Sequence, residues 1–306
     1  MVTYITASPS IPYGTIRPRY TQLVAEKNLN CNKLIIRQSK MVTDIQYRKK
    51  ATKSALVIGA ASGIGQGIAQ ELHTQGINVI QADIIFPKEH QEKNKRYLDA
   101  TDDKSIKVLS EYFIENSIPL DFLIITIGAI DEGLAFDYPV QNLKWMLDVN
   151  ILTSHRLVQE FTALLQKSKE PKVLLTGSSA GIGAFDDTHK LMPYIVSKHG
   201  LMGYFKSLRH EFAAMNIQVS LLIPSRIKGS LSENSATMRQ KSLYEESENN
   251  KGSQLSNIDL TDPEEIAKEF VEKFLKGKTY ISNNPHMIIE KLKSELMDFR
   301  NELFDE

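Results

Sequence analysis

Strand-like and helix-like segments alternate along the sequence from Lys53 onward, and this alternation restricts the possible folds more than any other feature. Short apolar runs predict strands, and apolar residues that recur every three or four positions predict the helices between them. Strands that alternate with helices are typical of βαβ units, in which the strands run parallel. The sequence therefore predicts an α/β fold, a Rossmann-type doubly wound parallel sheet with helices on both faces. The predicted strands are Ser54–Ile58, Ile77–Ala82, Leu120–Ile127, Lys172–Thr176, Ile217–Ile223 and Lys278–Ile281.

A glycine-rich turn joins the first predicted strand to the helix that follows it. Its glycines are Gly59, Gly63 and Gly65, with Ser62 and Ile64 between them. Glycines let the backbone approach a pyrophosphate closely, and the following helix presents N–H groups and the positive end of its dipole. The turn therefore predicts a dinucleotide phosphate site. The alternative is a tight βα turn that binds no ligand.

An acidic residue ends the second predicted strand. Asp83 lies about twenty residues beyond the turn, where a carboxylate accepts hydrogen bonds from an adenosine ribose and repels a 2′-phosphate. Neither Ser62 nor Ile84 supplies the cation that such a phosphate requires. We therefore expect NAD rather than NADP as the cofactor. The alternative for Asp83 is a helix-capping or loop acid.

Tyr194 and Lys198 lie four residues apart, so a helix would place them on one face. A cation beside a phenol favours the phenolate and would lower the tyrosine pKa toward the working range of an acid/base catalyst. Ser178 and Asn150 lie between this pair and the glycine turn. Asn150 has a simpler interpretation as a hydrogen-bonded amide inside a helix.

These residues, taken in order, resemble those of the short-chain dehydrogenases/reductases over the region from about Ser54 to Ile281. The resemblance implies a catalytic tetrad of Asn150, Ser178, Tyr194 and Lys198. It also implies cofactor-binding positions at Gly59, Ser62, Gly63, Ile64, Gly65, Asp83, Asp99, Gly128, Tyr194, Lys198, Pro224 and Ile227. Of the two adjacent serines, Ser178 is chosen because the motif Ser-x-Ala-Gly aligns it with the family's catalytic serine. Ser179 is the alternative.

The resemblance implies an NAD-dependent oxidoreductase that transfers a hydride between nicotinamide and a secondary alcohol or ketone. Tyr194 would be the general acid/base, and Lys198 would lower its pKa and bind the nicotinamide ribose. Ser178 would donate to the substrate oxygen, and Asn150 would hold a water. The alternative is a catalytically weak NAD-binding sensor or scaffold protein, whereas a Rossmann-like methyltransferase would leave Tyr194 and Lys198 without a role.

The sequence departs from the family pattern at three places. The family's Asn-Asn-Ala-Gly run reads Ile125-Thr126-Ile127-Gly128, which should weaken hydrogen bonding near the cofactor. Ile58 replaces the usual Thr before the first glycine, and Pro224-Ser225 replaces the usual Pro-Gly. These departures leave the chemistry possible.

The ends of the chain differ from its middle in charge and pattern. Residues 1–53 carry ten Lys/Arg and two acidic residues, a net +8. We expect residues 1–50 to form a poorly ordered basic extension, 51–282 the catalytic domain, and 283–306 a C-terminal helical extension. We also expect a cytoplasmic protein, unless the basic segment is an organelle transit peptide. The sequence predicts no metal site, nucleic-acid site or membrane span.

Two further predictions concern the pocket and assembly. The polar segment 228–258 is expected to be a substrate lid. The protein is expected to be a homodimer or homotetramer that pairs through helices 142–166 and 194–214. By its sequence, the first of these helices is expected to carry more apolar residues than packing on a sheet requires: Trp145, Leu147, Ile151, Leu157, Val158, Phe161, Leu164 and Leu165. A terminal amphipathic helix with Ile289, Leu292, Leu296, Phe299 and Leu303 could instead cover this surface.

Overall fold

A parallel sheet forms the centre of the protein, as the sequence predicts. The computed structural model describes residues 53–89, 92–183, 190–225, 227–228, 231–243 and 261–304. These residues form seven parallel strands in the order β3-β2-β1-β4-β5-β6-β7. The strands are β1 (Ser54–Ile58), β2 (Asn78–Asp83), β3 (Lys95–Tyr97), β4 (Phe122–Ile125), β5 (Lys172–Thr176), β6 (Gln218–Leu222) and β7 (Tyr280–Ile281).

Helices connect the strands and cover both faces of the sheet. They are α1 (Gly63–Thr74), α2 (Asp103–Glu115), α3 (Val140–Leu147), α4 (Thr153–Leu165), α5 (Met192–Ala213), α6 (Leu231–Leu243), α7 (Pro263–Leu275) and α8 (Pro285–Phe304). On one face, α1 and α7 pack on the strands in an apolar cluster that includes Phe270 and Phe274. On the other face, α2, α4 and α5 form a larger cluster around Phe113, Phe161 and Phe205. Burial on both faces explains why β4 is apolar throughout and β1 is apolar after Ser54.

The strand order reverses between β1 and β4, which are neighbours in the sheet although β2 and β3 lie between them in sequence. The connections leave these two strands in opposite directions, so a crevice opens at their carboxyl ends. Ligands of open α/β sheets bind at such a position. The glycine turn follows β1 directly, and Thr126 follows β4.

The structure differs from the predicted helices at two places. The long helix predicted over 142–166 is interrupted by a π-helical turn at Asp148–Leu152, between α3 and α4. A π turn inserts one extra residue, which sequence periodicity does not reveal. The segment predicted as an aperiodic lid begins with a regular helix, α6. The remainder of that lid, and the predicted extension over 1–50, lie outside the described residues.

The apolar residues that were taken as support for an oligomer interface are mostly buried within the chain. Leu157, Phe161 and Leu165 are fully buried in the larger core cluster, and Trp145 is buried in a smaller cluster beside it. The argument from surplus apolar surface on helix 142–166 was therefore wrong. Within the described ranges, no helix is long and apolar enough to span a bilayer.

Candidate active site

The glycine turn has a backbone path that only glycines fit. Gly59 and Gly63 have positive φ values of 83° and 55°, a conformation that costs other residues energy. A Cβ on Gly65 would lie 2.1 Å from the carbonyl oxygen of Gly59. Any side chain there would push the turn away from the start of α1. The turn is therefore a shallow backbone cradle in front of a helix N-terminus, with Ser62 at the N-cap position and Ile64 partly buried below it.

Thr126, directly after β4, stabilises this turn through hydrogen bonds. Its hydroxyl donates to the carbonyl oxygen of Ile58 at 2.7 Å and lies 3.2 Å from that of Gly59. The Thr126 N–H also donates to Ile58, at 2.9 Å. Thr126 stands where the family has an Asn, and its shorter side chain reaches the β1 backbone directly.

Asp83 also holds the turn in place. One carboxylate oxygen accepts the Ala61 N–H at 2.9 Å, and the other accepts the Ile85 N–H at 3.1 Å. The residue is buried, with 9% of its surface exposed. Because each carboxylate oxygen has two lone pairs, these bonds leave acceptor capacity toward the crevice. Asp83 therefore stabilises the turn, which is close to the alternative role considered for it as a loop acid. It also keeps lone pairs that can accept further hydrogen bonds.

Asp99 lies beyond β3 in a local turn. Its Oδ1 accepts the Thr101 N–H at 3.0 Å and the Thr101 hydroxyl at 2.7 Å, and its own N–H donates to Ser105. These bonds fix the carboxylate before α2 begins.

Asn150 lies in the π turn and links three parts of the site. Its amide oxygen accepts the Ala129 N–H at 2.7 Å, and its NH₂ group donates to the Ala129 carbonyl at 2.9 Å. The same NH₂ group donates to the Ser197 hydroxyl at 2.8 Å, and Ser197 donates to the Tyr194 carbonyl. Asn150 is thus a hydrogen-bonded buried amide that ties the segment after β4 to α5. The water-binding role expected from the resemblance stays a prediction.

Ser178, Tyr194 and Lys198 come together at the carboxyl ends of β4 and β5. Ser178 follows β5, and its hydroxyl hydrogen-bonds the Tyr194 phenol. Lys198 lies one turn further along α5, with its Nζ 5.7 Å from the centroid of the Tyr194 ring. This Nζ donates to the Thr176 carbonyl at 3.1 Å. Ser179 begins a 3₁₀ turn, and its N–H donates to Pro224, so Ser178 is the serine that meets the tyrosine.

Glycines make room for the lysine. A Cβ on Gly128 would lie 3.3 Å from Lys198 Nζ and 3.6 Å from Asn150 Oδ1. A Cβ on Gly181 would lie 2.6 Å from the Lys198 carbonyl oxygen. Because these two residues have no side chain, α5 can approach β4 and β5 closely.

Burial determines the protonation of the pair. It raises the pKa of the Tyr194 phenol above its ordinary value, and the hydrogen bond from Ser178 opposes this rise. It lowers the pKa of Lys198 from 10.5 to about 8. The expected lowering of the phenol pKa by Lys198 was therefore wrong for the protein alone, because the surrounding apolar atoms penalise both charged forms. Both residues favour their neutral forms more than they would in water.

The segment after β6 forms the far side of the crevice. Pro224 accepts the Ser179 N–H at 3.2 Å, and Ile227 pairs with Thr261 beside the apolar cluster under α1. Asn283 clamps this segment: its Oδ1 accepts the Ser225 N–H at 2.9 Å, and its NH₂ donates to the Ser225 carbonyl at 2.8 Å. Sequence reasoning missed Asn283, because no local pattern connects it with Ser225.

Helix α6 is fastened to the segment that follows β4. The Ile130 N–H donates to the Ser235 hydroxyl at 3.0 Å. Arg239 forms an ion pair with Asp131, whose carboxylate also accepts the Tyr138 hydroxyl. Neither α6 side chain was predicted as a functional residue. The helix therefore lies beside the apolar cluster that contains Tyr194, against which its Met238 packs.

Among known proteins with similar sequences are a reductase and a dehydrogenase. The chain is 30% identical to the 3-oxoacyl-(acyl-carrier-protein) reductase of Buchnera aphidicola over 205 residues, which cover 64% of this chain and 82% of the relative. It is 29% identical to the 2-dehydro-3-deoxy-D-gluconate 5-dehydrogenase of Bacillus subtilis over 184 residues, 57% of this chain and 71% of the relative.

Solved structures share the fold. A short-chain dehydrogenase/reductase from Burkholderia phymatum in complex with NAD superposes with a TM-score of 0.72 at 18% identity, covering 81% of this chain and 95% of the other. Actinorhodin polyketide ketoreductase with NADPH gives a TM-score of 0.58 at 19% identity, covering 76% and 95%. The sequence profile of the family described as short chain dehydrogenase matches residues 53–240. This match covers more than half of the chain, which therefore belongs to the short-chain dehydrogenase/reductase family of oxidoreductases.

Proposed function

We propose that this protein is an NAD-dependent oxidoreductase that interconverts a secondary alcohol and a ketone. The observation that carries the proposal is the meeting of Ser178, Tyr194 and Lys198 beside the glycine cradle. A bound nicotinamide cofactor supplies or accepts the hydride. The protein's own groups then have to place the substrate oxygen and move one proton.

Tyr194 is suited to move that proton. In the reducing direction its neutral phenol donates the proton to the substrate oxygen, and the raised pKa keeps the phenol protonated until that moment. In the oxidising direction the phenolate accepts the alcohol proton. Ser178 donates to the same oxygen, where negative charge develops in the transition state. Lys198 supplies a cation near the phenol when it is protonated.

The glycine cradle fits a dinucleotide, because the Gly59 carbonyl excludes a side chain at Gly65 and the positive φ values of Gly59 and Gly63 favour glycine. Gly59, Gly63 and Gly65 would approach the pyrophosphate, with the start of α1 beside it. Asp83 would accept the adenosine ribose hydroxyls with its remaining lone pairs. One of the two similar structures contains NAD and the other contains NADPH. The choice of NAD here rests on Asp83 and on the uncharged Ser62 and Ile84.

The substrate class follows from the chemistry of the site and the type of relative. The names of the two enzyme relatives specify an oxo compound and a dehydro sugar acid. We infer a small-molecule alcohol or ketone, bound beneath α6. The predicted domain boundaries, the cytoplasmic location and a homo-oligomer that pairs through helices 142–166 and 194–214 remain parts of this proposal.

A catalytically weak NAD-binding protein is the second candidate. The preference of both Tyr194 and Lys198 for their neutral forms favours it, since this protein would then lack a ready phenolate. Production of NADH from NAD across a panel of secondary alcohols separates the two, because a sensor binds the cofactor without turnover.

The Tyr194→Phe variant tests the catalytic assignment. It removes the hydroxyl alone, so we expect kcat to fall by about 10²–10⁴-fold with NAD still bound. Tyr204→Phe is the matched control, because it makes the same change on the same helix, about 15 Å along its axis. Near-wild-type turnover in Tyr194→Phe would refute the mechanism.

A further inference from the structure

The terminal helix α8 presents an apolar stripe that the described part of the chain does not cover. Its members are Ile289, Leu292, Leu296, Phe299 and Leu303, with exposed fractions of 50%, 50%, 70%, 68% and 71%. They recur at alternating intervals of three and four residues. This spacing averages 3.5 residues, which is the period of a coiled-coil seam rather than that of a helix lying on a sheet.

A different face of α8 attaches it to the domain. Ile288 is buried in the larger core cluster, and Met287 packs against it. Lys291 donates to the Gly183 carbonyl at 2.7 Å, and the Glu295 carboxyl group lies against Gly183. The stripe lies beside this anchored face. Its direction is thus fixed by the domain.

The charges beside the stripe distinguish between possible partners. Lys293 and Arg300 each follow an apolar stripe residue, whereas Glu295 and Glu302 each precede one. In coiled-coil terms the basic residues occupy e positions and the acidic residues occupy g positions. A parallel pair of α8 helices places Glu295 opposite Arg300 of the second copy. An antiparallel pair places base on base and acid on acid.

We propose that α8 pairs with α8 of a second copy of this chain, as a parallel two-stranded coiled coil over residues 289–303. The paired stretch is about 21 Å long, at 1.5 Å per residue. So short a coil needs the domain contacts of Ile288 and Lys291 to orient it. Because Lys291 holds Gly183, just beyond Ser178, pairing also steadies the segment that flanks the proposed active site.

Cysteine cross-linking of the full chain tests both the pairing and its direction. In a Cys31→Ser background, Leu303→Cys places two thiols in one layer of a parallel coil, within reach of a disulfide. In an antiparallel coil the two thiols would be about 16 Å apart. Asn301→Cys is the control, because that position lies on the opposite side of the helix. We expect mild oxidation to cross-link Leu303→Cys at least about tenfold faster than Asn301→Cys.

Light scattering of the full chain gives an independent readout. We expect Leu296→Glu with Phe299→Glu to lower the mass relative to wild type at equal concentration, while Ser294→Glu with Asn301→Glu leaves it unchanged. Circular dichroism checks that both variants remain folded. Equal cross-linking at 301 and 303 would overturn the proposal, and so would preferential cross-linking between Leu292→Cys and Leu303→Cys chains, which indicates an antiparallel pair. A monomeric wild-type chain would also overturn it.

Discussion

Replacing Thr126 by Val tests whether the hydroxyl that links β4 to β1 stabilises the cofactor turn. The substitution keeps the β-branched shape and removes the hydrogen bond to the Ile58 carbonyl, at 2.7 Å, and the weaker approach to Gly59. The Ile58 carbonyl keeps the Thr126 N–H as a donor, so it is not left unsatisfied. We therefore expect the free energy of unfolding to fall by about 1–2 kcal/mol, the value of one good hydrogen bond plus some crowding by the new methyl group.

Thr153→Val provides a matched comparison. Thr153 is 1% exposed, and its hydroxyl has no hydrogen-bond partner within the described part of the chain. Removing that hydroxyl should be neutral or stabilising, because a buried unsatisfied group disappears. Urea unfolding of the cofactor-free protein measures the free energy of unfolding of both variants. Thermal unfolding should give a Tm difference of about 2–4 °C for each kcal/mol. If Thr126→Val proves as stable as Thr153→Val, the hydroxyl bridge does not brace the turn.

Three further changes probe the site. Folded Lys198 loses its proton near pH 8 and the unfolded residue near 10.5. Because the unfolded state binds more protons in that window, the free energy of unfolding of the wild type should rise between pH 8 and 10.5 by up to about 3 kcal/mol relative to that of Lys198→Met. Urea unfolding across this pH range measures the change, and parallel plots of stability against pH for the two proteins would contradict the prediction. Gly65→Ala places a Cβ 2.1 Å from the Gly59 carbonyl oxygen, so calorimetry should show NAD binding weakened at least about tenfold. The control variant Gly203→Ala adds its Cβ in open space on α5 and should bind NAD with the wild-type affinity. Wild-type protein should prefer NAD to NADP by at least about tenfold, and Asp83→Asn should narrow that ratio; equal affinities in the wild type would remove the role assigned to Asp83.

The sequence predicts those features that depend on local pattern. The apolar strands, the glycine turn and the four-residue spacing of Tyr194 and Lys198 are each readable within one segment. Together they predict the fold, and the structure has it. The order of all the motifs along the chain supported the family resemblance, which no single motif could have done.

Features that depend on distant contacts were not predictable. The clamp between Ser225 and Asn283 joins residues 58 positions apart, and the π turn at Asn150 has no periodic signature. The pKa of Tyr194 was predicted with the wrong sign because helix spacing gives the distance to Lys198 but not the burial around both groups. Residue patterns report neighbours along the chain, whereas protonation depends on everything that surrounds a group in space.

The clamp by Asn283 determines how far the chain can be shortened from its C-terminus. A protein ending at residue 282 would keep all seven strands yet lose both hydrogen bonds that hold the Ser225 backbone. Such a truncation would remove Ile288 from the core and also free the Ser225 backbone from both of these bonds. A protein ending just after Asn284 would remove α8 and its exposed stripe while retaining both bonds. These two end points, only two residues apart, separate the contribution of the terminal helix from that of the pocket itself.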